Sequence, residues 1–229
     1  MGTEDLSVFD NISLSANVTS IANHAFEGIP ITYIGGEGVT HIGDSSFANC
    51  KKLAGFNFEN VQTIDSQGFR YCNNLKNSAY LPKVTLLGSH AFRDSTLRHI
   101  IAPNVINIGM DCFYSNMYLQ SADLGNINIT DGFVNNKYCF EFNAACIVIL
   151  RYGYVLDADS GWFYSNSWLN NKNTPGTLYV WQNLIEGYRN HSVWGPLLAS
   201  NNNKILPIEG SGYENNYGDG TPIITGGDN

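Results

Sequence analysis

The sequence predicts a β-rich solenoid, in which short coils stack on one another along an axis. The first observation is a repeated phrase, Val-x-x-Ile-(Gly)-x-x-small-Phe, and the second is an apolar-x-apolar pattern that follows each copy. A fixed period of this length is typical of solenoids, whose repeats each contribute one coil. The copies are 21, 22, 23 and 21 residues apart and open at Val18, Val39, Val61, Val84 and Val105.

A phenylalanine closes each copy of the phrase and follows a small residue, as Phe69 follows Gly68. A ring in a narrow core needs a thin neighbour, so we expect the rings to stack as an aromatic spine. Burying each ring contributes about 1.5–3 kcal/mol. The predicted spine consists of Phe26, Phe47, Phe69, Phe92 and Phe113.

The second half of each repeat runs Leu-x-x-apolar-x-apolar, as in Leu97–Ala102. The copy that begins at Leu75 places Ser78 and Tyr80 at the last two pattern positions. A two-residue period predicts a strand with one buried face. Stacked copies therefore predict a parallel sheet on one side, and the rest of each coil supplies the long connection that parallel strands need.

Side chains that flank the buried strand positions point outward and form the candidate ligand face. They mix charges, amides and an aromatic ring, which suits a protein or glycan partner better than a small apolar molecule that needs a concave pocket. The alternative is that these residues only keep the sheet soluble. The face consists of Tyr33, Asn57, Glu59, Lys76, Asn77, Arg98, His99, Gln120 and Asp123, with Gly55, Ile101 and Ser121 between them.

The two ends of the array depart from the pattern. The first repeat has Ile29 where later copies have Cys, as expected of a terminal, capping repeat, and Asp10–Asn17 is predicted to add a half coil. Large rings are concentrated late in the chain. We expect them to cover the open end of the solenoid rather than to stack on sugars. They are Trp162, Phe163, Trp168, Tyr179, Trp181, Tyr188 and Trp194.

Five cysteines make an odd number, which argues against a disulfide framework. Cys50 and Cys72 occupy the same repeat position, and stacked coils bring them about 5 Å apart, a distance compatible with a bridge. Equivalent inward positions form buried ladders, and free cysteine is among the most buried residue types. The pattern favours buried thiols over a disulfide. Cys112, Cys139 and Cys146 share no metal-like spacing.

Composition excludes several classes of function. The chain has 229 residues, 43% of them hydrophobic, which is ample for a packed interior. The formal net charge of −8, with only 12 basic residues, disfavours nucleic acid and anionic lipid as partners. No apolar run reaches the roughly 18–20 residues that cross a bilayer. The first residues lack the basic and apolar regions of a signal peptide, which leaves an intracellular protein and a processed form both open.

No catalytic or metal-binding motif stands out. None of the five histidines lies in a His-Glu-x-x-His or Cys-x-x-Cys setting. His24 and His90 share a repeat position but are three coils apart, too far to bind one metal. Asp157 and Asp159 have the spacing that opens a calcium-binding loop, but Trp168 stands at the twelfth position, where such a loop has a bidentate Glu. We predict no metal, no cofactor and no catalysis; a hydrolase with its site in the late aromatic segment is the disfavoured alternative.

At these residues the chain resembles the bacterial BspA-like leucine-rich repeats, also described as the treponemal type. Their repeat reads roughly Cys/Asn-x-x-Leu-x-x-Ile-x-Leu-Pro-x-x-Val-x-x-Ile-Gly-x-x-Ala-Phe, and residues 50–69 follow it well. Pro82 and Pro103 reproduce the proline before the valine. The resemblance implies a leucine-rich-repeat solenoid of about five to seven coils, with a parallel sheet on one face and a short helix near the C-terminus.

The resemblance extends to about residue 210. Ile147–Arg151 looks like the final strand of the family, and Phe163–Asn166 resembles a last, degenerate coil. Leu178–Val180 resembles a strand that precedes a short helix, although Trp181 stands where the family usually has Pro. The implied organisation is a cap or half coil over 1–17, repeats over 18–151, a degenerate repeat and C-terminal cap over 152–210, and a tail over 211–229.

Family members are largely cell-surface, secreted or phage-associated proteins of host-associated bacteria, and several are adhesins. The resemblance therefore implies a non-catalytic binding module, extracellular or at the cell surface, with a protein or surface glycan as partner. A structural spacer without a ligand of its own is the alternative. A fold does not carry its ligand with it, so the partner stays unidentified at this point.

Overall fold

The structure is a computed structural model, and it describes residues 10–75, 78–125, 146–151, 153, 155, 175–200 and 202–213. It is a parallel β-solenoid of about five turns, which confirms the predicted fold class. The described strands are β1 Asn11–Ser13, β2 Ser20–Ile21, β3 Tyr33–Gly35, β4 His41–Ile42, β5 Gly55–Phe56, β6 Thr63–Ile64, β7 Ser78–Tyr80, β8 Leu86–Leu87, β9 His99–Ala102, β10 Asn107–Ile108, β11 Ser121–Leu124, β12 Ile147–Leu150, β13 Thr177–Val180 and β14 Lys204–Pro207. The described helices are α1 Ile185–Asn190 and α2 Trp194–Ala199, preceded by a 3-10 turn at Gln182–Leu184.

The strands line two sides of the coil stack, and every described pair is parallel. One side carries a five-stranded sheet in the order β10-β8-β6-β4-β2, formed by the Val-x-x-Ile segments. The other side carries the predicted sheet, in two sections with the orders β1-β3-β5 and β14-β13-β12-β11-β9-β7. Sequence reasoning did not predict the five-stranded sheet, because its strands are two residues long and too short to show an alternating pattern.

The predicted phenylalanines form one continuous stack through the core. Successive ring centroids are 5.3, 5.0, 5.4 and 6.3 Å apart from Phe26 to Phe113, with ring planes within 12° of parallel. Phe56 and Phe58 pack edge-on against Phe69 at 5.5 and 5.2 Å. The four later rings of the stack are fully buried, whereas Phe26, in the first coil, is partly exposed.

Tight turns carry the phenylalanines and join the coils. Residues two before and two after the phenylalanine adopt left-handed backbone, as do Gln67 (φ 58°) and Tyr71 (φ 60°) around Phe69. This conformation costs a non-glycine residue about 1–2 kcal/mol. It allows the N–H groups of all three residues to donate to carbonyls of the next coil, at 2.8, 2.8 and 3.0 Å.

A buried polar ladder lies three residues after each of the four later phenylalanines, at Cys50, Cys72, Ser95 and Asn116. The thiols of Cys50 and Cys72 donate to the phenylalanine carbonyl of the preceding coil, at 2.9 and 3.2 Å. Asn116 Nδ2 makes the same contact at 2.7 Å, and its Oδ1 accepts from Ser95 Oγ at 2.5 Å. These bonds satisfy carbonyls that the narrow core removes from water.

The four described cysteines, Cys50, Cys72, Cys112 and Cys146, are free and buried, which confirms the prediction of buried thiols at Cys50 and Cys72. Burial raises the pKa of the Cys50 thiol to about 11 and that of Cys72 well above its usual value. Cys139 lies outside the described residues.

The third repeat corrects the predicted strand register. The pattern placed Ser78 and Tyr80 inward, but the buried positions are Ala79 and Leu81, whereas Ser78 and Tyr80 are half-buried. Ala79 pairs with Ile100 of the next coil, which fixes the register. This repeat has 23 residues, and its extra residue lies before the strand. A shift of one residue exchanges the two faces of a strand.

The C-terminal part continues the sheet further than the sequence predicted. Ile147–Arg151 was expected to be the family's final strand and Leu178–Val180 to be a strand before the short helix. They form β12 and β13, which pair with each other, and β14, which the sequence did not predict, pairs with β13. The strand-to-helix turn forms although Trp181 replaces the family's proline, because Trp181 adopts φ −60°, a value that proline also prefers. Tyr188 and Trp194 are fully buried and pack edge to face at 5.3 Å.

Both rings belong to the hydrophobic core. The other late rings divide in two. Tyr179 and Trp181 are half-buried. Trp162, Phe163 and Trp168 lie outside the described residues, as does the predicted degenerate coil at Phe163–Asn166.

Candidate functional site

The outward side of the predicted sheet, here called the strand face, consists of two columns of side chains. Within each section of the sheet, strand register aligns one residue of each coil in each column, because alternate strand residues point to the same side. No pairing of the described strands joins β5 to β7, and Asn57 directly follows β5. The first column is Asn11, Tyr33, Gly55, Ser78, His99, Ser121, Ile147, Thr177 and Lys204. The second column is Ser13, Gly35, Asn57, Tyr80, Ile101, Asp123, Ile149, Tyr179 and Leu206.

Several predicted site residues lie on or beside this face and reach solvent. Tyr33 is 42% exposed, while Asn57 and His99 are half-buried. Glu59 lies just after β5 and is exposed, and its N–H donates to Asn57 Oδ1 at 3.0 Å. Arg98 and Gln120 are exposed at equivalent positions, directly before β9 and before β11. Lys76 and Asn77 lie outside the described residues.

Asp123 is a correction to the predicted face. It occupies the second column but is only 4% exposed, because Arg151 at the end of the neighbouring strand covers it. The guanidinium donates to both carboxylate oxygens, from Nε at 2.8 Å and from Nη2 at 2.6 Å. Burial raises the pKa of the Asp123 carboxyl, and the contacts with Arg151 oppose that shift. The pair therefore belongs to the interior and not to a surface for ligands.

A C-terminal segment folds back over the same part of the strand face. Arg151 Nη2 also donates to the Tyr213 carbonyl at 2.7 Å, and the Tyr213 ring packs edge to face on Tyr179 at 4.9 Å. Ile101 and Ile149 of the second column are 4% and 2% exposed. The strand face therefore has a closed half around β11–β13 and an open half around β1–β7.

Sequence reasoning missed Arg151 and Tyr213 as parts of this face. A signal was present for Arg151, since a charge that ends the apolar run Ile147–Leu150 needs a buried partner or water. Nothing in the tail composition pointed to Tyr213. The partner of each became visible only when the strand register was known.

The open half contains a recess of about 390 Å³ beside Tyr33. The Tyr33 ring lies across Gly35 and Gly55, where an added Cβ would be 3.1 and 3.2 Å from ring carbons. Larger residues at either position would push the ring away from the sheet. The recess is also lined by Ser13, Glu37 and Asn57, which place a hydroxyl, a carboxylate and an amide around the ring.

His99 is a titratable group of the first column. Its Nδ1 lies 2.9 Å from Ser121 Oγ in the same column. Burial, assisted by the charge of Arg98, lowers the pKa of the imidazole. The ring is therefore neutral at pH 7 and acts as a hydrogen-bonding group rather than as a charge.

The described residues show no arrangement for metal chemistry. No three or more His, Cys, Asp or Glu side chains in that part of the chain lie close enough together to hold an ion. Asp157 and Asp159, considered for calcium, are outside it. Among the described helices, none has the length and apolar character needed to cross a membrane.

A family model matches most of the chain. Its description is BspA type leucine rich repeat region, and six copies match over residues 5–120 and 83–185. No curated protein sequence matches the chain at a significant level.

Three solved structures are similar to the chain at low sequence identity. A leucine-rich repeat protein of T. pallidum has 21% identity and a TM-score of 0.48, covering 51% of this chain and 59% of its own length. The pneumococcal vaccine antigen PcpA has 16% identity and a TM-score of 0.52, with 86% and 41% covered. A leucine-rich repeat protein of Bacteroides ovatus has 17% identity and a TM-score of 0.45, with 74% and 63% covered. The chain thus spans less than two thirds of each.

Proposed function

The chain belongs to the BspA-type leucine-rich repeat family, and on that premise we propose a non-catalytic binding module whose strand face contacts a protein or a surface glycan. The observation that carries the proposal is the division of the strand face into two halves. The closed half is covered by the chain itself, through Arg151 and Tyr213. The open half leaves an aromatic ring, Tyr33, 42% exposed among polar groups.

The chemistry of the open half supports a polar partner. Tyrosine is enriched at the centres of binding interfaces because it presents a large apolar area with a polar tip. In the open half, Asn57 lies beside the recess at Tyr33 and Tyr80 lies further along the second column, while Glu59 and Arg98 are exposed just after β5 and directly before β9. A surface with both signs of charge and several hydrogen-bonding groups favours a partner that is itself polar.

We also propose an extracellular or cell-surface location, which rests on the family resemblance. The described thiols are compatible with an oxidising compartment. They are buried, and burial raises the pKa of Cys50 and of Cys72, so both are protected from reactions that require an exposed thiolate.

A comparison of two matched variants tests the proposed face. The protein is first screened against arrays of glycans and of extracellular matrix proteins, and the affinity for each hit is measured by biolayer interferometry. Asn57→Arg places a long cation in the open half, whereas Gln62→Arg places one on the opposite side of the coil, next to β6. We expect Asn57→Arg to weaken binding at least tenfold and Gln62→Arg to leave it unchanged.

Three outcomes would contradict the proposal. Equal effects of the two substitutions would show that the strand face is not the binding surface. Absence of any partner on both arrays would favour the alternative of a structural spacer. Hydrolysis of a model substrate, lost on substitution of Asp157 or Asp159, would show that the protein is an enzyme.

A further inference from the structure

We propose that the recess beside Tyr33 is a monosaccharide subsite in which a pyranose ring stacks on the tyrosine. The inference rests on the proposed function, because it assigns a ligand class to the open half of the strand face. It is carried by three features of the recess: a ring held flat on the sheet, polar groups around its rim, and a volume suited to one or two sugar units.

The flat ring is the first feature. Tyr33 lies in the first column, with Gly55 next to it in the following coil and Gly35 two residues along the same strand. A Cβ added to either glycine would project toward the ring and lie closer to it than an ordinary contact distance. One side of the ring therefore faces the backbone, and its 42% exposure belongs to the side that faces solvent.

The polar rim is the second feature. Asn57 Oδ1 accepts from the backbone N–H of Glu59, which orients the amide and leaves its NH₂ group as a donor. Among the described residues, no hydrogen bond engages the Ser13 hydroxyl, the Tyr33 hydroxyl or the Glu37 carboxylate. The rim thus offers donors and acceptors to a ligand that carries both.

A pyranose matches this arrangement in both respects. Its axial C–H groups make one apolar side that packs on an aromatic ring, and its equatorial hydroxyls donate and accept around the edge. A cationic ligand fits less well, because recognition of a cation by aromatic rings is strongest in a desolvated site, and this recess is open. The donors of Asn57 and Ser13 would also have no role toward a cation.

The volume is the third feature. A recess of about 390 Å³ with an open mouth holds one sugar unit and the beginning of a second. A ligand of about a dozen heavy atoms in an open site binds in the millimolar range, so affinity for longer glycans requires further contacts along the strand face.

Saturation-transfer difference NMR tests the subsite directly. The probes are the methyl glycosides of glucose, galactose, mannose, fucose, N-acetylglucosamine and N-acetylgalactosamine, each at about 10 mM. We expect transfer to the C–H protons of at least one glycoside. Tyr33→Ala and Gly55→Val should each reduce affinity at least about fivefold, since the first removes the stacking ring and the second lifts it from the sheet.

Two matched variants control the experiment. Tyr33→Phe keeps the ring and should retain binding. Tyr118→Ala removes a tyrosine outside the face that is more exposed than Tyr33, at 60%, and should change nothing. Because Tyr33 is exposed, its removal should leave the melting temperature within a few degrees of the wild type.

The inference is wrong if no glycoside shows transfer, or if transfer survives Tyr33→Ala. The inference can fail without the proposed function. If Asn57→Arg abolishes binding of a protein partner but no glycoside shows saturation transfer, the binding face is retained and the sugar subsite is rejected. Failure of both experiments would reject the face itself.

Discussion

Replacement of Phe69 by alanine tests the aromatic spine where it is most densely packed. Phe69 is fully buried and touches four other rings, stacking on Phe47 and Phe92 and meeting Phe56 and Phe58 edge-on, all within 5.5 Å. Phe→Ala in a core costs about 3–5 kcal/mol, which includes the cavity that remains. Aromatic pairs add about 0.5–1.5 kcal/mol each beyond burial. We therefore expect a loss of about 4–5 kcal/mol in the free energy of unfolding.

Phe26 is the matched control, because it has the same residue type and repeat position in the first coil. It is partly exposed, and its one described ring contact is with Phe47, at 5.3 Å. Phe26→Ala should cost about 1–2 kcal/mol, since less apolar area is lost and the coil can relax. Lys52→Ala, on the exposed surface, should change stability by less than about 0.5 kcal/mol.

Urea denaturation followed by circular dichroism measures all three variants. Repeat arrays can unfold in stages, so the comparison requires equal slopes with denaturant across the variants. If Phe69→Ala does not fold, Phe69→Leu retains most of the volume and should lose about 1.5 kcal/mol. A loss for Phe69→Ala below about 2 kcal/mol, or no larger than that for Phe26→Ala, would refute a spine in which interior rings support one another.

Further predictions concern the polar ladder, the histidines and the closed half. Asn116→Leu should cost about 2–4 kcal/mol in urea denaturation, because it removes the donor to two buried carbonyls. Burial lowers the pKa of His90 and of His99 in the folded protein. As the pH falls, these histidines are therefore protonated at a higher pH in the unfolded chain than in the folded one, and the free energy of unfolding should decrease below about pH 6.5. Arg151→Met should cost about 3–5 kcal/mol, because it strands the Asp123 carboxylate in the interior, and should speed hydrogen exchange over residues 208–213.

Each of these has its own control. Ser95→Ala leaves one acceptor of Asn116 without a donor and should cost about 1–3 kcal/mol, less than Asn116→Leu. The double substitution of His90 and His99 by glutamine should flatten the pH dependence, and an unchanged curve would assign it to other groups. Pairing Arg151→Met with Asp123→Leu should recover most of the lost stability, whereas a double variant as unstable as the single would reject the charge argument.

The spine, and the inward strand positions outside the third repeat, were predictable because they are periodic. Equivalent residues of stacked coils must meet, so Phe47 and Phe69 could be placed together from spacing alone. The thiol ladder was predictable for the same reason, and Asn116 takes its place in the last described copy.

The closed half was not predictable, because it depends on single residues that do not repeat. Arg151 meets Asp123 because one strand end lies beside the next strand, and Tyr213 reaches them from 62 residues further along the chain. The reversal of Ser78 and Tyr80 has a local cause, an additional residue in one repeat. The recess at Tyr33 could not be predicted either, because it depends on the Tyr33 ring lying over two glycines, and no pattern of residue types specifies where a side chain lies.

The hydrogen bonds from each turn to the following coil have a mechanical consequence. Because each coil is bonded only to its neighbours, tension applied between the two ends of the chain would unfold the coils one at a time instead of unfolding the whole domain at once. Each released winding of about 22 residues would add about 70–80 Å of contour length. An anchored protein of this design would lengthen in steps under load, and its extremities would yield before its middle.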